Sequence, residues 1–599
     1  MSIPATLEGF SNLVSLFYTR AEEGGDTPFL WRKQDRVWTS QSWREVAGQV
    51  SALADALLAQ GLVPGDRVVL VSENRPEWLI ADIGIMAAGC VTVPTYTTNT
   101  ERDFQHVLDN SGARAVIVST AKLARMVMPA ALRSGAQFMV VMEDMRTAQQ
   151  SDVRVLDWAP LVQDGERRIV EVSARNATVR RNDLACLIYT SGTGGAPRGV
   201  RQHHGAILHN IEGAGAILAE DFGLGEEVFL SFLPLSHAYE HTGGQYLPIC
   251  VGAQIYYAEG LEKLVANIEE VRPTIMVVVP RLFEVIRARM LKAVEKQGKL
   301  ANILLRQALR VGGKDYAGKL SLLDRPMDLI VDKLFRPKIS KKFGGRLKAL
   351  VAGGAPLNPD IGIFFHSVGL TLLQGYGQTE SGPIIACNRP RAGIKMDTVG
   401  PPLKNTEVRI AEDGEICVRG ELVMHGYWRN EAESARVLID GWLHTGDIGH
   451  IDDAGRIVIT DRKKDIIVND KGDNVSPQRV EGMLTLQPEI LQAMVYGDKR
   501  PHIVGIIVPD PEWAREWAEE AGLPTDMALL KEHDAFRAAV RVAVDRVNAD
   551  LGVIEKVRKF DFADAPFTIE NEQMTPSLKI RRHVLKQVYE ARIAAMYRG

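Results

Sequence analysis

The rhythm of its apolar runs limits this chain to a narrow group of folds. Arg67-Val-Val-Leu-Val-Ser72 is a short β-type run, and Pro76 then opens a helix-like segment that continues through Ala88. Proline suits a first helical turn because the N–H it lacks would have no partner there. Val91–Val93 and Ala115–Val118 are further short strands, and the rhythm recurs around Val228–Leu233, Ile275–Val279 and Leu347–Val351. Apolar strands alternating with amphipathic helices call for a parallel or mixed sheet covered by helices. The expected class is α/β, with two to four domains because 599 residues exceed what one core supports.

One boundary is legible. Thr445-Gly446-Asp447 precedes a strand-like run, Arg456–Thr460, and then the charged connector Asp461-Arg462-Lys463-Lys464-Asp465. The rhythm restarts beyond it. We therefore expect a large N-terminal domain of helix-covered mixed sheets, 1–460, and a smaller α+β domain, 461–599.

Composition narrows the function classes. With 46% apolar and 24% charged residues the chain reads as an ordinary globular protein, and a net charge of −4 gives no reason to expect nucleic acid. Cys90, Cys186, Cys250, Cys387 and Cys417 stand singly, with no C-x-x-C spacing. This set reads as reduced thiols in a cytoplasmic protein. Met1-Ser2-Ile3-Pro4 shows no secretory pattern, and the apolar stretch Leu79–Val93, interrupted by Asp82, is too short to span a bilayer. The expectation is a soluble or peripheral protein.

Charge is not evenly spread. Between Arg287 and Arg346 there are 16 Lys/Arg and 5 Asp/Glu. Within this block Ala301–Arg310 and Met327–Phe335 repeat apolar residues at helical spacing. Basic amphipathic helices suit an anionic membrane surface, and equally two solvated helices packed on a domain.

The chemistry is concentrated in one stretch, Tyr189-Thr190-Ser191-Gly192-Thr193-Gly194-Gly195-Ala196-Pro197-Arg198-Gly199-Val200, fed by the apolar run Leu184–Tyr189. Thr190 to Gly195 are all Gly, Ser or Thr, so hydroxyls and backbone N–H groups can close around phosphate oxygens, with Arg198 adding charge. The string G-x-x-x-x-G-K-[ST] of the P-loop is absent. Taken alone, the composition also fits a surface loop.

These residues resemble the phosphate loop of the adenylate-forming synthetases, which include acyl-CoA synthetases, luciferases and peptide-synthetase adenylation domains. The family pattern is close to Y-T-S-G-T-T-G-x-P-K-G-V. Gly194 stands where Thr is usual and Arg198 where Lys is usual, exchanging a compact ammonium for a planar fork. The resemblance runs from about Pro28 to Arg582, with the family's motifs in order. It implies ATP, Mg²⁺ and CoA: a carboxylate attacks the α-phosphate of ATP, giving an acyl-adenylate that a thiol then takes.

By that resemblance Gln374-Gly375-Tyr376-Gly377-Gln378-Thr379-Glu380 is the metal turn. Glu380 would hold Mg²⁺, Thr190 would lie near it, and Tyr376 would pack on adenine. Gly353-Gly354-Ala355-Pro356 matches the adenine segment, and Asp447 and Arg462 match the ribose-binding Asp and Arg. Lys579, in Thr575-Pro576-Ser577-Leu578-Lys579-Ile580-Arg581-Arg582, matches the catalytic lysine, with Leu578 in place of the usual Gly. The small domain of such enzymes is mobile. It swings about the residue before the Arg, here Asp461, and Gly472–Pro477 would face the site in the thioester-forming state.

Leu233-Pro234-Leu235-Ser236-His237 resembles the L-P-L-x-H motif of fatty acyl-CoA synthetases, where His and its neighbours line the acyl site. An isolated His237 is equally read as satisfied by local hydrogen bonds. The long segment 287–346 is similar to the extended region of long-chain members. The implied activity is therefore AMP-forming ligation of a medium- to long-chain fatty acid to CoA, with peripheral membrane contact through 287–346 and a homodimer as open options. The alternatives are a fatty acyl-AMP ligase serving a carrier protein, an aryl- or branched-acid ligase, and a non-catalytic homologue.

Overall fold

The computed structural model describes residues 6–143, 152–190, 196–575 and 580–598. The chain divides into two compact units. The first takes in Met1–Arg409, Cys417–Thr445 and Ile451–Val458; the second takes in Ile410–Ile416, Gly446–His450 and Ile459–Gly599.

In the first unit one sheet runs in the order Arg154–Asp157, Phe138–Val141, Ala115–Val118, Arg67–Val71, Val91–Thr95, Leu184–Thr190, Arg198–His203. Neighbours are parallel except the last pair. Alternate residues feed two separate cores. Val68, Leu70, Ile117 and Val140 enter one, while Val69, Val71, Val116 and Val141 enter the other. Both faces are covered, which is why these runs are apolar at every position rather than every second one.

A second sheet of this unit has the order Ala386–Cys387, Leu372–Tyr376, Ala349–Ala352, Ile275–Val278, Val228–Ser231, Gln254–Tyr257, Pro28–Gln34, Val37–Ser42. Its middle pairs are parallel and its two edge pairs antiparallel. Helix Pro76–Ala87 has every residue buried except Glu77. The apolar stretch Leu79–Val93 is thus divided between that helix and the strand Val91–Thr95. Among the described residues no helix is long and apolar enough to cross a membrane.

Asp82 is the one carboxylate on the buried face of that helix. Its Oδ2 accepts hydrogen bonds from His241 Nε2 at 2.9 Å, Gln245 Nε2 at 2.8 Å and Tyr246 OH at 2.7 Å. All three donors belong to a π-helical turn, His241–Tyr246. Such turns are rare and gather at functional sites.

The basic block forms the helices Pro280–Lys296, Lys299–Tyr316, Arg325–Leu334 and Arg336–Lys342. The two segments with helical spacing fall inside the second and third of these.

The second unit is built on the strands Ile490–Tyr496, Ile503–Pro509 and Val557–Phe562. Ile503 and Ile507 join a core with Val540 and Val544, whereas Val504 and Ile506 join one with Leu585 and Ile593. Strand Ile457–Arg462 carries the first two residues of the charged connector, and Asp461 is buried within it. Asn474–Val475 pairs with Ile467–Val468, and Ser476 caps helix Pro477–Leu484.

Candidate active site

Strand Leu184–Thr190 ends on Thr190, and the chain returns antiparallel as Arg198–His203 with Thr190 opposite Arg198. The intervening Ser191, Gly192, Thr193 and Gly194 lie outside the described residues. The base of this hairpin is fixed from several sides. Tyr189 OH donates to Asn110 Oδ1 at 2.7 Å. Asn110 belongs to helix Glu101–Ser111, which starts on a capping box between Thr100 and Asp103 and ends at Gly112 in the left-handed region. His106 Nε2 donates to Pro197 O at 2.7 Å. Gly199 lies under the Tyr189 ring, where a Cβ would come within 3.1 Å of Cζ.

Arg198 does not stand free at the mouth of the turn. Its Nη1 pairs with Glu433 Oε2 at 2.9 Å, and its guanidinium lies 4.5 Å from the centroid of the Tyr427 ring. Its Nε is buried with no partner among the described residues. Tyr427 in turn donates its hydroxyl to Glu380 Oε1 at 2.8 Å. Burial, reinforced by the Glu380 charge, pushes the Tyr427 phenol well above its ordinary range. A line of contact therefore runs from the base of the phosphate-type loop to the carboxylate of the metal turn. Backbone hydrogen bonds hold it: Trp428 N to Gly199 O at 2.7 Å, Arg201 N to Gly426 O at 3.0 Å and Met424 N to Glu380 O at 2.9 Å.

The metal turn itself follows strand Leu372–Tyr376, and Glu380 sits in a single 3₁₀ turn, Thr379–Ser381. Gly377 admits no side chain, because a Cβ would stand 1.8 Å from Pro383 O. Gly375 meets only ordinary contacts, and Tyr376 is buried. Thr379 O accepts from Gln202 Nε2 at 2.6 Å, which ties this turn to the hairpin a second time. Gln374 is buried and its Oε1 has no partner among the described residues. No group of three or more His, Cys, Asp or Glu is arranged to hold a metal ion among the described residues. Thr190 and Glu380 offer a hydroxyl and a carboxylate, the hard and sparse donor set that suits Mg²⁺ when a substrate supplies further oxygens.

Gly353, Gly354, Ala355 and Pro356 follow strand Ala349–Ala352, with the last three exposed. Gly353 makes room for Tyr239, whose Cζ would stand 2.7 Å from a Cβ there, and Gly354 takes φ +82°. Tyr239 OH donates to Val351 O at 2.8 Å. His237 precedes a short helical turn and its Nδ1 accepts from Tyr239 N at 3.2 Å. The L-P-L-S-H segment and the G-G-A-P segment are therefore braced against each other through Tyr239. Thr242, three residues on, donates to Gly382 O at 3.2 Å beside the metal turn.

Asp447 and Arg462 belong to the second unit. Asp447 is buried, and Arg462 Nε donates to its Oδ1 at 3.2 Å. Gly446, at φ +73°, donates its N–H to Glu415 Oε1 at 2.8 Å. Lys579 lies outside the described residues.

Tyr427, Glu433, Tyr239 and Asp82 were not singled out as site residues from sequence. Tyr427 and Glu433 sit in a polar stretch with no motif spacing. Asp82 carried one signal, a lone carboxylate in an apolar run, which marks a buried group with partners to find.

The sequence profile of AMP-binding enzymes matches residues 17–428, and that of the AMP-binding enzyme C-terminal domain matches 464–599. The long-chain-fatty-acid–CoA ligase FadD15 of Mycobacterium tuberculosis is 34% identical over 614 residues, covering 100% of this chain and 99% of its own. Long chain acyl-CoA synthetase 1 of Arabidopsis thaliana is 29% identical, covering 99% and 91%. Among solved structures, the adenylation domain of a carboxylate reductase from Mycobacterium chelonae superimposes with a TM-score of 0.74 at 20% identity, over 99% of this chain and 92% of that one. The anthranilate CoA ligase AuaEII, solved with anthranoyl-AMP, gives 0.72 at 19% identity over 98% of each. The chain belongs to the AMP-binding enzyme family, the adenylate-forming superfamily whose motifs its sequence carries.

Proposed function

We propose that this protein is an AMP-forming long-chain-fatty-acid–CoA ligase. The fatty acid carboxylate attacks the α-phosphorus of ATP, forming an acyl-adenylate and releasing pyrophosphate. The CoA thiol then attacks the acyl carbonyl, forming the thioester and releasing AMP. The observation that carries this reading is the line Arg198–Tyr427–Glu380, which joins the phosphate-type loop to the carboxylate turn at 2.8 Å. The full-length kinship with long-chain ligases supports the acyl class.

The residue roles follow. Thr190, Ser191, Gly192, Thr193 and Gly194 wrap the phosphates with hydroxyl and N–H donors, and Arg198 supplies charge at the base of the loop. Glu380 and Thr190 would hold Mg²⁺, and the chemistry that ion would supply is neutralisation of phosphate charge ahead of the incoming carboxylate. Gly353–Pro356 and Tyr376 enclose the adenine, and the unmet Gln374 Oε1 offers an acceptor to its amino group. Gly375, Gly377 and Thr379 shape the turn that aims Glu380. Asp447 and Arg462 take the ribose hydroxyls. His237 borders the acyl carboxylate. Lys579 stabilises charge on the α-phosphate during adenylation.

A domain of 461–599, moving about Asp461, brings Lys579 in for the first half-reaction and withdraws it for the second. We place the reaction in the cytoplasm at or near a membrane, with no nucleic acid partner and a homodimer as an option.

The test is AMP release from ATP and palmitate with and without CoA. Multiple turnovers only with CoA are expected. A single turnover indifferent to CoA overturns the ligase reading, and turnover only on an aromatic or short acid overturns the acyl class. Lys579→Ala should lose adenylation by at least about a hundredfold while retaining thioester formation from pre-formed acyl-adenylate. Full adenylation by that variant removes the assigned role.

A further inference from the structure

Asn74 lies outside all the motif segments, in the short link between strand Arg67–Val71 and helix Pro76–Ala87. That strand and strand Val228–Ser231 belong to different sheets. Asn74 joins the two at their carboxyl ends, the edge where open α/β sheets take their ligands. Its Nδ2 donates to Leu233 O at 2.6 Å and to Ser231 Oγ at 3.0 Å. Its Oδ1 accepts from Leu235 N at 3.2 Å.

The segment Leu233–His237 is neither strand nor helix, so no ladder holds it in place. Pro234 has no N–H to give, and the backbone groups on either side of it, Leu233 O and Leu235 N, are both met by the Asn74 amide. A carboxamide offers a donor and an acceptor on separate atoms; a carboxylate or an aliphatic chain does not. Within the segment His237 N donates to Pro234 O at 2.9 Å, so the place of the histidine follows from where Leu233 and Leu235 are set.

The far end is held through the same serine. Ser231 Oγ accepts from Asn74 and donates to Glu240 Oε1 at 2.6 Å. Glu240 is buried and closes the turn Ala238–Glu240 that follows His237. It fits because Gly244 carries no Cβ, which would stand 2.4 Å from its Cδ. Residues 233–237 are thus strung between two anchors, Asn74 and Glu240, that share Ser231.

We infer that Asn74 is a positioning residue for the acyl substrate: it sets Leu233 and Leu235, and through them His237, against the fatty-acid carboxylate. This rests on the ligase reading, in which His237 borders that carboxylate. The nucleotide side has an anchor of its own, since Tyr239, which packs on Gly353, donates to Val351 O at 2.8 Å. Loss of Asn74 should therefore weaken the acid and spare the nucleotide.

The experiment is a pair of equilibrium titrations on the full chain, well below the melting temperature of each variant. One follows a fluorescent ATP analogue; the other follows cis-parinaric acid, a fluorescent fatty acid, in the presence of α,β-methylene ATP. Asn74→Ala should weaken fatty-acid affinity roughly tenfold and change nucleotide affinity less than about twofold. Asn74→Asp keeps the acceptor for Leu235 N, loses both donations and should fall as far. Ser231→Ala leaves both backbone bonds of Asn74 intact and should weaken the acid by about threefold, which keeps the test decisive where an Asn74 variant does not fold. In turnover the same split should appear as a raised KM for palmitate beside an unchanged KM for ATP. A parent chain that binds nucleotide and no fatty acid overturns the ligase reading and this inference with it. A parent that binds both, with folded variants that lose neither or lose both equally, overturns this inference alone.

Discussion

Tyr427→Phe isolates the contact on which the active-site reading leans. The phenol sits 5% exposed, so phenylalanine fills the same space and the Arg198 guanidinium keeps its ring to lie over. What disappears is one hydrogen bond, 2.8 Å long, donated to a carboxylate. Hydrogen bonds to charged groups contribute about 1.5–3 kcal/mol. Glu380 is half-buried, so water replaces part of that, and about 1.5 kcal/mol remains. If the bond aims Glu380 at Mg²⁺, the loss appears as about a tenfold fall in kcat/KM, since roughly 1.4 kcal/mol is one decade. It should be accompanied by a higher Mg²⁺ concentration at half-maximal rate. Tyr427→Leu, which also removes the ring beneath Arg198, should fall further. The assay is pyrophosphate release with ATP varied at saturating acid, repeated across a Mg²⁺ titration. An unchanged Mg²⁺ dependence with unchanged kcat/KM would refute the reasoning. A double-mutant cycle with Glu380→Gln gives the sharper form: the two changes must be strongly non-additive.

Asp82→Ala leaves the side-chain donors of His241, Gln245 and Tyr246 buried without their acceptor, at a cost of about 3–5 kcal/mol, while Asp82→Asn keeps an acceptor and should cost about half as much. Thermal melting would show a drop of roughly 5 °C or more for the alanine variant, and an unchanged melting point would remove the network's structural role. Burial raises the Asp461 carboxyl to about 6, from an ordinary 3.8. Its folded form thus favours the proton. The associated stability, about 2–3 kcal/mol, is fully present below about pH 4 and lost as pH rises through about 6. Asp461→Asn should flatten stability between about pH 5 and pH 7.5; urea titrations at the two values that still differ as in the parent would contradict this.

Much of the fold was legible because its signals are local. Near-continuous β-branched runs announce a sheet covered on both faces, and Pro76 marks a helix start without reference to anything distant. Boundaries moved where tertiary pairing won. Leu184–Tyr189 gains Thr190 because Arg198 pairs with it, and the strand at Ile457 extends to Arg462 into residues that read as a charged connector.

The sequence by itself determined the chemistry of the short segments: a loop of Gly, Ser and Thr, a turn ending in Glu380, and glycines where backbones must approach. Their meaning is contained in a few adjacent residues, so order alone conveys it. Only the tertiary structure decided the pairs. Arg198 meets Glu433 across 235 positions, Tyr427 meets Glu380 across 47, and Asp82 gathers donors some 160 positions away. Each is an ordinary side chain until folding removes water from around it. An unpaired buried polar group is costly, and that cost fixes the partners at contact distance, which no local pattern records.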